Sequence, residues 1–291
     1  MNLRLKILLS LIAVFITYVV IDSAIHQYVV MPRFVALEQF QATKDLQRCH
    51  ASIQRDVDNF HLVLDLPTQW DGMQDYVEQT TECFDRRRGR NQRYSDRHLD
   101  MLAIVDNDGN VIFQSILAPE TKGQATIELF PTERWPLTHP LVTASLADEH
   151  SESSEKRGIV MTEAGPMIVL ARPIVREDAA HAEGVIVVGR FLDQKAITAK
   201  AEQTDVNFQV ESIDQLSIAA RETLPVSLRS KEYRSRDRAN ARIHIREIDE
   251  ENLVAQGALF DIEGNPALIT YAFVRRNISQ EGRIAMHYAI G

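Results

Sequence analysis

This sequence is poor in cysteine, in positive charge and in catalytic motifs. Two cysteines, Cys49 and Cys83, occur in 291 residues, too few for a disulfide framework, and they lack the paired Cys/His spacing of a zinc site. Lysine and arginine total 32 against 41 acids, a formal charge of −9. An acidic chain offers nothing to a phosphate backbone, and no nucleic-acid partner is expected. The nine histidines are scattered without an HExxH pair. A GxSxG nucleophile elbow and a phosphate-cradling glycine loop are both missing. Asp71 and Asp75, four apart, would work as acid and base only in a pocket that separated their pKa values. The chain is therefore read as non-enzymatic, with no metal or cofactor.

One apolar run is long. ILLSLIAVFITYVVIDSAI, residues 7–25, holds a single charge, Asp22, and at 1.5 Å per residue it spans about 28 Å, close to the hydrocarbon thickness of a bilayer. Arg4 and Lys6 precede it, which holds that end in the cytoplasm and places the bulk of the chain outside the inner (plasma) membrane. Asp22 falls within a turn of the outer end, in reach of the headgroups. A cleaved signal peptide is the rival reading. The run exceeds the usual length of about 7–15 residues, however, and Asp22 spoils a cleavage site at Ala24, so an uncleaved anchor is expected. The composition, 45% hydrophobic and 25% charged, is that of globular material. In an oxidising exterior Cys49 and Cys83 are a disulfide candidate, worth about 4 kcal/mol in the chain-entropy picture. Two buried free thiols are the alternative.

Residues 33–64 read as one long helix, with Leu46, Cys49, Ile53, Val57, Phe60 and Leu64 three or four apart, Pro32 in the first turn and Pro67 beyond the end. At about 48 Å it suits a homodimerising stalk above the membrane or a helix laid across a sheet. A second helical piece over 71–84 precedes RRRGRNQRYSDRH, read as a solvated loop, with anionic lipid headgroups or an anionic ligand as the alternative partner. Strands follow. MLAIVDNDGNVIFQS is two apolar runs joined by turn formers, a hairpin. DNDGN is not a calcium loop, because Val111 and Leu117 stand where that motif needs glycine and a bidentate acid. GIVMTE, PMIVLARPIV and GVIVVGRFL complete five strands, with a crossover between the second and third: an antiparallel sheet backed by the long helix, in an α+β chain. After the helix QKAITAKAEQ, the runs NFQVESI, ARIHIREI and the hairpin NLVAQGALFDIEGNPALITYAFVR form a small membrane-proximal strand module. GRIAMHYAIG reads as the start of a second transmembrane helix. The expected divisions are a cytoplasmic tail (1–6), the span (7–25), a sensor-type domain (30–200), the strand module (201–277) and the second span's start (278–291).

Taken in order, a long helix, QWDGMQDY, LAIVDNDGNVI, VLARPI and GVIVVGRFLD resemble the type-four CHASE family of extracellular sensor domains. ALFDIEGNPALITYAFVRRNISQEG resembles the tail that follows such domains. The arginine-rich loop, and Gly72 and Gln74 beside Trp70 and Asp71, depart from the family's pattern. The resemblance implies a PAS/Cache-like five-stranded antiparallel sheet with a long N-terminal helix. It also implies the sensing portion of a bacterial transmembrane receptor whose output is a cyclic di-GMP module or a histidine kinase. No GGDEF or EAL run occurs in this sequence. A membrane-tethered scaffold and, more remotely, an anchored hydrolase are the other classes.

For an unknown small-molecule or protein ligand, the candidate residues are Trp70, Asp71, Tyr76, Arg172 and Arg190. Trp70, Asp71 and Tyr76 combine flat apolar surface with a carboxylate, which suits an amine or polar head; alternatively the rings fill the gap between helix and sheet. Arg172 and Arg190 interrupt apolar strands, so each guanidinium must find an anion or water. Together they would clamp a carboxylate or phosphate; separately each would pair with an acid such as Asp193.

Overall fold

The computed structural model describes residues 3–60, 99–121, 123–146, 155–175, 182–229, 243–249 and 251–276. Helix α1 (Leu3–Ile25) passes through one π-type turn (His26–Val30) into α2 (Met31–Asn59). Pro32 has no amide to give the carbonyl one turn back, and the widened turn lies just ahead of it. The helix expected from residue 33 is therefore the upper part of a longer rod. Lys6–Asn59 is one helix of 54 residues, about 80 Å long. Its lower part is apolar all round, with a best-window mean hydropathy of 2.3 and none of that window covered by the rest of the chain. Among the described residues it is the one helix long and apolar enough to cross a membrane. The upper part is amphipathic and buries one stripe, Glu38, Ala42, Asp45, Leu46, Cys49, Ser52, Ile53 and Val57.

Two antiparallel sheets share that stripe. Strands β1 (Met101–Asp106), β2 (Val111–Ile116), β3 (Lys156–Thr162), β4 (Gly165–Val175) and β5 (Ala182–Phe191) form the first, in the order β2-β1-β5-β4-β3. The crossover falls where the sequence placed it, and β3 ends up on the far edge. Leu102, Ile104, Ile168, Leu170, Ile186 and Val188 point to α2. Their alternates Met101, Ala103, Val105, Met167, Val169 and Val187 face Ile127, Phe130, Trp135, Leu141 and Val142, contributed by residues 127–142 and including the start of helix α3 (Pro140–Leu146). Covered on both faces, the strands need no polar alternation, which is why they read as continuous apolar runs.

Helix α4 (Gln194–Thr204) is capped by Asp193, whose Oδ1 accepts the Ala196 amide at 2.8 Å. It leads to β6 (Phe208–Ser212), β7 (Ile243–Glu247), β8 (Asn252–Phe260) and β9 (Pro266–Arg275), a sheet in the order β6-β9-β8-β7. This sheet packs on the half of α2 nearer the apolar span. The approach at Gly257 is so close that a Cβ there would lie 2.7 Å from His50 Cε1 and 2.9 Å from Leu46 Cδ2. Both sheets and α2 share one apolar cluster, running from Ala42, Leu46, Ala255 and Ala272 to Ile168 and Ile186.

The sheets also share a turn. In the β1–β2 hairpin Asp106 Oδ1 accepts the amides of Asp108 and Asn110, and its Oδ2 accepts from Asn110 Nδ2. In the β8–β9 hairpin Asp261 does the same with Glu263, Asn265 and Asn265 Nδ2. Gly109 (φ 86°) and Gly264 (φ 81°) take the left-handed position each turn requires. The carboxylate that would bind calcium in a DxDxDG loop is here occupied by its own turn's amides.

Candidate functional site

Along the face of α2 that meets the sheets, polar side chains make cross-element contacts at three levels. Nearest the span, Glu38, 1% exposed, accepts from Arg276 Nε at 3.3 Å, just past the end of β9, and Arg276 also reaches Glu247 at 3.5 Å. At mid-height His50 Nε2 meets Thr270 Oγ1 at 2.6 Å, and that hydroxyl donates to the Gly257 carbonyl at 3.1 Å. With its proton used there, Thr270 can only accept from His50, which assigns the imidazole its Nε2–H. At the top Asp56 Oδ2 receives Lys200 Nζ at 2.5 Å and Arg190 Nη2 at 3.0 Å. Arg190 lies 5.6 Å over the Phe60 ring, and Arg157 donates to the Asp58 carbonyl at 3.1 Å. A shift or rotation of α2 against either sheet has to break or exchange these directional contacts, so the joint has discrete positions.

His50 makes the joint acid-sensitive. Burial pulls its pKa from 6.5 to about 4, so between those values the unfolded chain binds a proton that the folded chain refuses. Stability is full above pH 6.5 and falls as pH drops towards 4, by on the order of 3 kcal/mol. Urea midpoints between pH 7.5 and 4.5 should show this slope, and His50→Gln should flatten it.

The other face of the five-stranded sheet carries an aromatic plug. The Trp135 ring stands 5.2 Å from Phe130 and 4.6 Å from His139, centroid to centroid. Its indole N–H donates to Gln114 Oε1 at 3.1 Å and to the Pro131 carbonyl at 3.0 Å, while Gln114 Nε2 donates to the Phe130 carbonyl at 2.9 Å. His139 pairs its Nε2 with the Leu129 carbonyl at 3.2 Å and its Nδ1 with the Leu141 amide at 3.3 Å. Burial lowers the His139 pKa, in the direction that the acceptor role of Nδ1 requires. Each polar edge of the plug is used within the chain.

The candidates named from sequence fall in several places. Trp70, Asp71 and Tyr76 lie outside the described residues, as do Cys83, the arginine-rich loop and residues 277–291. Cys49 is a buried thiol whose pKa burial raises to about 12. Arg172 and Arg190 are both on the α2 face of the first sheet but do not converge. Arg172 stands across from Ile186 and Arg190 across from Ile168, a separation of four residues, or about 13 Å, along the strands. Arg172 Nη2 pairs with Glu155 at 2.6 Å, and Arg190 pairs with Asp56. Asp193 caps α4 instead. Among the described residues, no three His, Cys, Asp or Glu side chains gather as metal ligands would. Glu38, His50, Thr270 and Trp135 were not singled out beforehand. For Glu38 a signal existed, since it continues the apolar stripe one turn below Ala42; Trp135 lies in a segment with no periodicity, and nothing local marks it.

The solved structures that this chain resembles include the domain of a sensory-box/GGDEF-family protein of Vibrio parahaemolyticus, at 11% identity over 85% of this chain and 99% of that one, TM-score 0.45. The periplasmic domain of Vibrio cholerae LuxQ aligns at 14% identity over 80% of this chain and 99% of that one, TM-score 0.42. The ligand-binding domain of the Pseudomonas fluorescens chemoreceptor CtaA, solved with L-isoleucine, aligns at 12% over 84% and 95%, TM-score 0.44. No curated protein matches the chain. The family model of the CHASE4 domain, by contrast, matches residues 52–211, from the upper turns of α2 through β6 and more than half of the sequence; this chain belongs to the CHASE4 domain family.

Proposed function

We propose that the chain is the sensing portion of a transmembrane signalling receptor, with its N-terminus in the cytoplasm and both sheets outside the plasma membrane. The observation that carries this reading is mechanical: the apolar span and the spine of both sheets are one helix. A ligand that favours one packing of the sheets therefore favours one position of the helix in the bilayer, and differential affinity for two packings is the driving force such a device requires. The ligand is a small molecule or a protein met outside the membrane. The apolar stretch after residue 283 enters the bilayer as a second span. The output, a cyclic di-GMP module or a histidine kinase, is supplied on the cytoplasmic side.

Two copies pack along the face of α2 that the sheets leave open, where Leu37 and Phe40 are 51% and 65% exposed in a single chain. Single cysteines at Leu37, Phe40, Lys44 and Ala51, all on the open face, test orientation and pairing together. In spheroplasts a membrane-impermeant maleimide should label Lys44→Cys from outside, and oxidation should give dimers at Leu37 and Phe40 but not at the buried Ala42 and Leu46. Labelling that required lysis would overturn the orientation. Absence of cross-links at every open-face position would overturn the pairing.

A further inference from the structure

The β8–β9 hairpin does more than connect two strands. Its tip touches the other sheet: the Ile262 amide donates to the Ile159 carbonyl at 2.9 Å, and Ile159 and Asp261 form a parallel bridge. Ile159 belongs to β3, the edge strand of the first sheet, and its outward side takes this contact. Ile262 packs against the apolar cluster on the plug face of the first sheet. It does so over Gly158, where a Cβ would overlap Ile262 Cγ2 and stand 3.4 Å from Ile262 Cβ. The tip is stiff, because Asp261 holds three of its donors.

From this tip β9 runs back to Arg276 and Glu38. Ten residues of strand cover about 33 Å, and the stretch of α2 from Glu38 to Asp58 covers about 30 Å. Helix and hairpin are thus two parallel legs of nearly equal length. They are tied at the top through β3, which gives Arg157 to Asp58 and Ile159 to Ile262. They are braced in the middle by His50–Thr270 and tied at the bottom by Glu38–Arg276.

We infer that the hairpin is a second transmission leg: displacement of the β3 edge moves its tip, and the strands carry that movement to the Arg276–Glu38 tie by a route additional to the contacts of α2 with the first sheet. A cover that only protected an open edge would have no need of a stiff tip, a glycine cleared for its side chain, or a buried ion pair at the far end. The signalling role of this leg rests on the receptor reading above. The mechanical link does not, and is measurable without ligand or membrane orientation.

The test uses the full chain in detergent with Gly158→Cys and Ile262→Cys, whose Cβ atoms would stand 3.4 Å apart, just under the usual bridging range of about 3.5–4.5 Å. Hydrogen–deuterium exchange is compared before and after oxidation, with the reduced double variant and the single Ile262→Cys variant as controls. Oxidation should slow exchange not only at the tip but at residues 272–276 and around Glu38, by threefold or more, and reduction should restore it. Slowing confined to residues 157–161 and 259–266 would overturn the leg and reduce the contact to an edge cover. Failure of the pair to oxidise would overturn the docking itself. Gly158→Val provides the opposite perturbation: it should push the tip away and speed exchange at the same remote residues, and no remote change alongside local loosening would equally overturn the inference.

Discussion

Trp135→Ala should destabilise the five-stranded sheet by about 3–5 kcal/mol, the cost of emptying a fully buried aromatic site. The loss has two parts. Removing the ring leaves Phe130 and His139 facing a void behind strands β1 and β5, and removing the indole N–H withdraws the donor from Gln114 and the Pro131 carbonyl. Trp135→Phe separates them, since it keeps most of the volume and forfeits only the donor, an effect of about 1–3 kcal/mol. The backbone at this position matters as well: the Trp135 amide donates to the Gly109 carbonyl at 2.7 Å, and a Cβ at Gly109 would overlap the Trp135 carbonyl. Urea denaturation of the full chain in detergent, followed by circular dichroism, checks both variants. A cost below 1 kcal/mol for the alanine would mean that residues 127–142 are not a structural layer of the sensor sheet.

The second large effect is expected at the Glu38–Arg276 tie. Glu38→Met and Arg276→Met should each cost about 3–5 kcal/mol, because each removes one charge from a pair whose other member is nearly enclosed, at 1% and 12% exposure. The double replacement should cost much less than the sum, since two apolar side chains of similar volume carry no desolvation penalty. Glu247, 3.5 Å from Arg276 and half exposed, softens the Glu38→Met case and makes Arg276→Met the larger of the two. A double-mutant cycle that summed to within 0.5 kcal/mol would show the two side chains to be energetically independent. The coupling of β9 to the helix would then have to run through His50–Thr270 and the shared apolar cluster.

How much of this was legible beforehand varies by element. The lipid-length helix announced itself by length and apolarity, and the strands by runs bounded with Asp, Asn and Gly. Both hairpins were readable from DNDGN and DIEGN, because a turn that needs φ > 0 and a side-chain acceptor can be written with few residue types. Pro32 misled at one boundary: a proline usually starts a helix, yet here a π-type turn absorbs the missing hydrogen bond and the rod continues. Arg172 and Arg190 were legible as cations needing anions, but their partners Glu155 and Asp56 were not, since Asp56 lies 134 residues from Arg190 along the chain and only the docking of α2 on β5 brings them together.

The sequence by itself determined the periodic quantities: where the described helices and strands occur, which face of α2 is apolar, that a lipid-length run leads into it, and the family. These follow from local sterics and from the partition of side chains between water and oil, which act over a few residues. Only the tertiary structure decided that one helix serves both sheets, that the β8–β9 tip lies on the edge of β3, and that Glu38, His50 and Asp56 meet Arg276, Thr270 and Lys200. Each of those contacts joins residues more than a hundred positions apart, and its energy depends on close approach and exclusion of water, which no local pattern in the chain encodes.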